Sequence, residues 1–265
     1  MREVYALYRY ISDKRYSTIA GTLVYFLLMS VTPFLFWLTL LVGNIDLQSI
    51  ISHELFTAIQ PVISYLQASA TSAVGSAGII LLVTSLWSST NFFYHLRRSG
   101  EIIYETDGGR GGLKLRFTSL LVVLLTIIMF AFAATVPILS ATVLDDIMPE
   151  AIAQIISVTF LALFAFLVAY LLNVFACPYK LGFDKTIGGV MLTVLLWLIF
   201  GAGFTVYLQF ANPQKLYGAV AAIVVFLLWC YLMVNSLVIG VIYNGKYSGY
   251  IKSGIPQKLM PQKVK

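Results

Sequence analysis

From Leu216 to Asn244 the chain reads LYGAVAAIVVFLLWCYLMVNSLVIGVIYN without one charged residue. An α-helix rises about 1.5 Å per residue, so a hydrocarbon core about 30 Å thick takes about 20 apolar residues. This run therefore crosses a bilayer once, with some tilt. Upstream, the same format recurs over 20–43, 78–95, 117–143, 152–175 and 187–210. The fold class this predicts is an all-α integral membrane protein with six transmembrane helices in a membrane domain over 20–244. Composition agrees, because 265 residues that are 60% hydrophobic and 11% charged are too apolar for a soluble domain.

Residues 1–19 mix Arg2, Arg9, Lys14 and Arg15 with Tyr5, Leu7, Tyr8 and Ile11, the pattern of a short interfacial helix on the cytoplasmic side. The first span is too long for a signal-peptide core and offers no small-x-small cleavage site, so it is expected to be retained. Pro33 in that span and Pro137 in the third predict helix kinks. A proline at 33 cannot donate to the Met29 carbonyl, which leaves that carbonyl to a polar partner such as Ser30 or Thr32. Residues 44–77 lack Lys and Arg and space Leu47, Ile50, Ile51, Leu55, Ile59, Val62, Ile63 and Leu66 at helical intervals. Amphipathic helices in a first outer loop are expected there.

Topology follows from the cations. Four Lys or Arg precede the first span, five lie between the second and third, two between the fourth and fifth, and five in the basic tail at 245–265, against Lys215 alone on the other side. The positive-inside rule then places both termini in the cytoplasm of a cell (inner) membrane. The net charge of +6 is explained by topology and anionic headgroups rather than by nucleic acid as a partner. Every Asp, Glu, Lys and Arg falls outside the six spans, so the costly intramembrane charges of proton relays and coupled-ion sites are missing.

What remains at depth is neutral. Asn91, Asn173 and Asn235 come from three spans at broadly similar depth on the cytoplasmic side. They suit either separate interhelical hydrogen bonds or, with Ser30, one polar cavity open to the cytoplasm. Arg97 and Arg98 at its mouth are the candidate headgroup contacts for a membrane lipid or other amphiphilic substrate. Gly201 with Gly203, Gly218 with Ala222, and Ala131, Ala133 and Ala134 are the small residues expected at close helix contacts. GGRGG at 108–112 lacks the strand and the Lys-Ser of a phosphate-binding loop and reads as a flexible connection. No cofactor, catalytic or metal set is expected. His53 and His95 fall on opposite sides of the membrane, and Asp145, Asp146 and Glu150 read as a solvated turn ahead of the fourth helix. Neither Cys177 nor Cys230 is placed for a disulfide or metal site.

With those residues in view, the chain resembles the YihY/BrkB family of bacterial inner-membrane proteins, once labelled ribonuclease BN. The likeness rests on Tyr25, Ser30 and Pro33 in VYFLLMSVTP, on LWSS at 86–89, on Gly188-Gly189, on Tyr207, and most specifically on the closing helix from Tyr217. This chain departs where the family often has Gly-Ala-Glu-Leu-Asn, since Ile242 stands at the Glu position; Glu101 stands near a common family Asn. The resemblance implies an envelope role without naming a substrate. Two readings stand: a transporter or lipid-handling protein of the envelope, and a non-transporting scaffold for envelope machinery. An intramembrane enzyme lacks a visible acid, base or metal set, and nuclease activity is not expected.

Overall fold

The computed structural model describes residues 2–42, 76–106, 111–139, 150–211 and 221–247. The regular structure of the described residues is all α-helix, in eight helices: α1 (Arg2–Asp13), α2 (Tyr16–Val42), α3 (Ser76–Ser89), α4 (Asn91–Ile103), α5 (Gly112–Leu139), α6 (Glu150–Ala176), α7 (Phe183–Ala211) and α8 (Ala221–Tyr247). Among the described residues four stretches are long and apolar enough to cross a membrane: Gly112–Ala133, Val158–Ala176, Phe183–Leu208 and Val224–Tyr247. The amphipathic segments expected in 44–77, the turn at 145–146, the Gly218 contact and the tail beyond residue 247 lie outside the described residues.

α8 is the central helix. Half of its membrane window is buried inside the protein, against 28% or less for the other three, and it packs on α1, α2, α4, α6 and α7. Its buried positions Cys230, Val234, Leu237, Val238, Val241 and Ile242 meet Ala20, Leu23 and Val24 of α2, Phe92, Phe93 and Leu96 of α4, and Leu172 and Phe175 of α6. The outer helices show the complementary pattern. In α5, Leu121, Leu125, Ile128 and Phe132 are exposed along one stripe, while Ser119, Val123, Thr126 and Ile127 face inward. An exposed apolar stripe at helical spacing is a lipid contact, because lipid tails solvate such side chains as well as a core does.

The second predicted span is not one helix. α3 stops at Ser89 and α4 begins at Asn91, with Thr90 between them. The 14 residues of α3 reach about 21 Å at helical rise, short of a hydrocarbon core. α4 is instead amphipathic, burying Phe92, Phe93, Leu96, Arg97 and Gly100 along one face. α5 also starts earlier than the predicted 117, so Lys114 and Arg116 sit on its first turns rather than in a loop.

α1 lies against α2 and α8. The chain turns into α2 at Arg15, whose φ of 50° is left-handed, and α4 ends on Glu105, with φ 54°. The Glu105 and Thr106 amides return to the carbonyls of Ile102 and Glu101, the paired bonds that close a helix C-terminus around a left-handed residue. Lys14 and Glu105 form an ion pair that joins the two corners. Nearby, Lys246 of α8 lies 5.5 Å from the Tyr10 ring, and Ser17 and Tyr231 share a 2.8 Å hydrogen bond.

Gly201 and Gly203 do not make the close helix contacts expected of them. A side chain on Gly201 or Gly203 would meet nothing within 4 Å. Gly100 lies against the Ala176 carbonyl, and Gly189 and Gly240 face each other backbone to backbone, so that a Cβ on any of the three would collide.

Candidate functional site

Ser30 sits on α2 with 4% exposure. Its Oγ accepts the Phe92 amide at 3.0 Å, lies 3.4 Å from the Ser88 carbonyl, and donates to the Phe26 carbonyl at 2.8 Å. In an unbroken helix the Phe92 amide would bond the Ser88 carbonyl. The Ser30 hydroxyl is therefore inserted into that rung, a recognised cause of a helix break. It is the cap in trans for α4, whose own Thr90 makes no side-chain cap. Thr90 Oγ1 turns back to the Trp87 carbonyl at 2.6 Å. α2 carries Pro33 inside its helical run. Ser30 serves the Phe26 carbonyl and the α3–α4 junction rather than Met29. α5 likewise runs through position 137, and the Pro137 side chain lies outside those described.

The junction gathers polar and cationic groups. Arg116 Nη1 donates to Asn91 Oδ1 at 2.7 Å and to Thr90 Oγ1 at 3.1 Å. Its guanidinium carbon lies 4.1 Å from the Tyr94 ring centre and 5.5 Å from that of Trp87, within cation–π range. Arg98 lies 5.5 Å from the same Tyr94 ring and donates to Glu101 Oε2 at 2.7 Å. His95 stacks on Phe26 with ring centres 3.3 Å apart. Trp87 is 48% exposed, so one wall of the junction is an apolar outer surface.

Arg97 does not share this surface. Its guanidinium is buried and donates to the carbonyls of Phe175 at 2.9 Å, Pro178 at 3.1 Å, and Cys177. The Phe175 carbonyl is one that a helix leaves unpaired at its C-terminus, here in the last turn of α6, and those of Cys177 and Pro178 follow in the chain just past it. The headgroup role expected of Arg97 is corrected to a cap, because a guanidinium spent on three buried carbonyls has little left for a ligand. Just past this cap the Cys177 thiol and Tyr104 hydroxyl are buried together, and burial pushes both pKa values up.

The three asparagines are not brought together either. Asn91 belongs to the junction. Asn235 donates to the Tyr231 carbonyl of its own helix at 2.9 Å, and its buried Oδ1 has no hydrogen-bond partner among the described residues. Asn173 belongs to a third place, a closed ring that sequence reasoning missed. Its Nδ2 donates to the Ala169 carbonyl at 2.9 Å and to Thr193 Oγ1 at 3.3 Å. Thr193 donates to the Gly189 carbonyl at 2.8 Å, and the Gly189 amide donates to Asn244 Oδ1 at 2.7 Å. Asn244 Nδ2 closes the ring on Asn173 Oδ1 at 3.2 Å. Of the two arrangements left open for Asn91, Asn173 and Asn235, the structure shows separate contacts rather than one cavity, and Asn244 rather than Asn235 joins Asn173. The available signal was Gly240 and Asn244 one turn apart on one helix face.

Residues 7–258 match the family described as Virulence factor BrkB. The chain belongs to the BrkB family. This BrkB-family chain is also 24% identical, over 83% of its length and 86% of the relative's, to the ribonuclease-like protein YfkH of Bacillus subtilis (strain 168). No solved structure matches it. Membership and the four long apolar helices together make it a membrane protein. The family's sequence pieces meet in pairs in this BrkB protein: Ser30 of the first helix with Ser88 of LWSS, and Gly189 with Gly240 of the closing helix.

Proposed function

We propose that this protein handles an amphiphile, a lipid or lipid-like molecule, as a transporter of the cell envelope, with both termini in the cytoplasm and without enzymatic turnover. The observation that supports this is the interruption at Thr90. A helix broken by an inserted hydroxyl places Asn91, Tyr94, Arg98 and Arg116 beside half-exposed Trp87, so polar groups for a headgroup lie next to apolar surface for its chains. Such an arrangement needs no charge deep in the bilayer, in keeping with spans whose few charged residues, Lys114, Arg116, Asp184, Lys185 and Lys246, stand at their ends. The side chains gathered here are guanidinium, amide and aromatic groups, which bind anions and rings. We assign them no hydrolytic step.

The test is movement of a fluorescent phospholipid between leaflets of vesicles containing the purified protein. Movement faster than in protein-free vesicles, and slowed by Asn91→Leu, is expected. Movement indistinguishable from protein-free vesicles removes the transport reading. A scaffold is the second reading, supported by the ring of Asn173, Thr193, Gly189 and Asn244, which fills the space between α6, α7 and α8 with satisfied hydrogen bonds. It predicts no lipid movement and loss of a bound envelope partner on disruption of the ring.

A further inference from the structure

Arg98 and Arg116 come from different helices and meet at one side chain, Tyr94. The Arg116 guanidinium lies 4.1 Å from that ring and the Arg98 guanidinium 5.5 Å from it. Two like charges held against one ring repel unless an anion sits with them. Arg98 has Glu101 as its counter-ion. Among the described residues Arg116 has hydrogen bonds only to the neutral oxygens of Thr90 and Asn91, and no carboxylate pairs with it. Lys114, exposed on the same first turns of α5, adds a further cation. Among the described residues the cluster therefore carries one positive charge more than its partners neutralise, before Lys114 is counted.

Position narrows what can supply the missing anion. Arg116 stands near the start of the apolar stretch Gly112–Ala133, where a membrane-spanning helix passes through the headgroup layer. The Tyr94 hydroxyl points at the first residue of α5, 3.9 Å from where a Cβ on Gly112 would lie. Trp87, with the Arg116 guanidinium over its ring, is half exposed on the outside of the protein. A guanidinium with one nitrogen bonded to Asn91 and Thr90 keeps other donors for a second acceptor, and its planar fork matches a phosphate in two-point contact. Arg98, with its side chain 34% exposed, can reach the same acceptor from the neighbouring turn.

We infer that Arg116 and Arg98, braced on Tyr94, form a site for the phosphate group of a membrane lipid, with the acyl chains lying along Trp87. This rests on the amphiphile reading above and narrows it to phosphate-bearing lipids at the cytoplasmic boundary. Arg116 is the principal cation. Asn91 and Thr90 position it, which gives the break at Ser30 a ligand-facing purpose: an unbroken helix would carry Asn91 and Tyr94 on a different line.

The experiment uses the full chain purified in detergent and supplied with equal amounts of phosphatidylglycerol and diacylglycerol of the same acyl chains, with retained lipid measured by mass spectrometry. Wild type should retain phosphatidylglycerol in preference. Arg116→Gln should cut that preference about tenfold, as expected for one charge-assisted contact. Lys114→Gln, an exposed neighbour of equal charge, should change it less than about twofold. If Lys114→Gln and Arg116→Gln lose lipid equally, the effect is net charge and the site is wrong. Should Arg116→Gln fail to fold, the pair Arg98→Gln with Glu101→Gln removes the second cation without stranding a buried carboxylate, and unchanged preference there overturns the proposal. Inorganic phosphate that displaces the lipid at equal potency identifies a soluble anion as the ligand and overturns the lipid assignment. The two readings fail separately: phosphate preference without leaflet exchange sinks transport and keeps the site, whereas exchange untouched by Arg116→Gln sinks the site and keeps transport.

Discussion

Asn244 and Asn173 bond side chain to side chain at 3.2 Å, tying the last described helix to α6 at a point where Gly189 and Gly240 let the α7 and α8 backbones touch. Both amides are 2% exposed, so each depends on the other and on Gly189 or Thr193 for satisfaction.

Asn244→Leu should therefore leave the buried Asn173 Oδ1 without its partner and take the Asn244 Oδ1 acceptor from the Gly189 amide, at a cost of about 1–3 kcal/mol. A double-mutant cycle with Asn173→Leu, followed by thermal unfolding in detergent, should return a coupling of roughly 0.6–1.7 kcal/mol. Additive effects would mean that the 3.2 Å contact carries no energy of its own.

Ser30→Ala removes the hydroxyl from the α3–α4 rung. The Phe92 amide then goes unpaired, costing about 1–2 kcal/mol, or the helix straightens and re-forms its own bond to Ser88. Either outcome should move Arg116 relative to Tyr94. A spin-label distance between α4 and α5 that stays fixed in Ser30→Ala would show that the wedge does not set the break.

Gly100→Ala places a methyl against the Ala176 carbonyl and should destabilise by about 1–3 kcal/mol or more, because backbone cannot yield as a side chain does. Gly201→Ala meets open space and should be neutral or slightly stabilising, since alanine is the better helix former. Equal melting temperatures for the two variants would contradict the packing described for α4 on α6.

Glu105→Gly relieves a left-handed conformation that costs a non-glycine residue about 1–2 kcal/mol. It gives up an ion pair whose Glu105 side chain is 63% exposed and which is worth little in water. A net gain of roughly 1 kcal/mol is expected. A loss in thermal unfolding would mean that the pair with Lys14 matters more than the turn.

For orientation, single cysteines at Ser69 and Ser253, both outside the described residues, should label oppositely with an impermeant thiol reagent in whole cells, position 69 reacting and position 253 not. Background should be low, because Cys177 and Cys230 are each 2% exposed. Labelling at 253 alone would invert the topology.

The sequence made the apolar helices plain because hydropathy and length act one segment at a time. Contacts between segments were harder to see. Asn235 lies within the last span and Asn244 at its end, nine positions or about 14 Å of helix apart, and only the crossing at Gly189 and Gly240 selects Asn244 as the partner of Asn173. Arg97 and Arg98 are neighbours with the same charge, and counting cations for topology cannot tell them apart. One step of about 100° around α4 sends Arg97 into three carbonyls and Arg98 toward the surface. Ser30 was visible as part of a motif, but the rung it enters belongs to a segment some sixty residues away. Gly201 and Gly203 had the right composition for close packing and face open space, because a small residue permits contact without causing it.

The cap that Arg97 places on α6 also sets an order of assembly. Residues 97–100 are synthesised well before residues 175–178, so when α4 first reaches the membrane its guanidinium has none of the three carbonyls that later hold it. Until then the burial of that charge is unfavourable, which favours α4 waiting at the water-facing boundary while α5 and α6 insert. Completion of the α6 C-terminus supplies the carbonyls that offset the burial of Arg97.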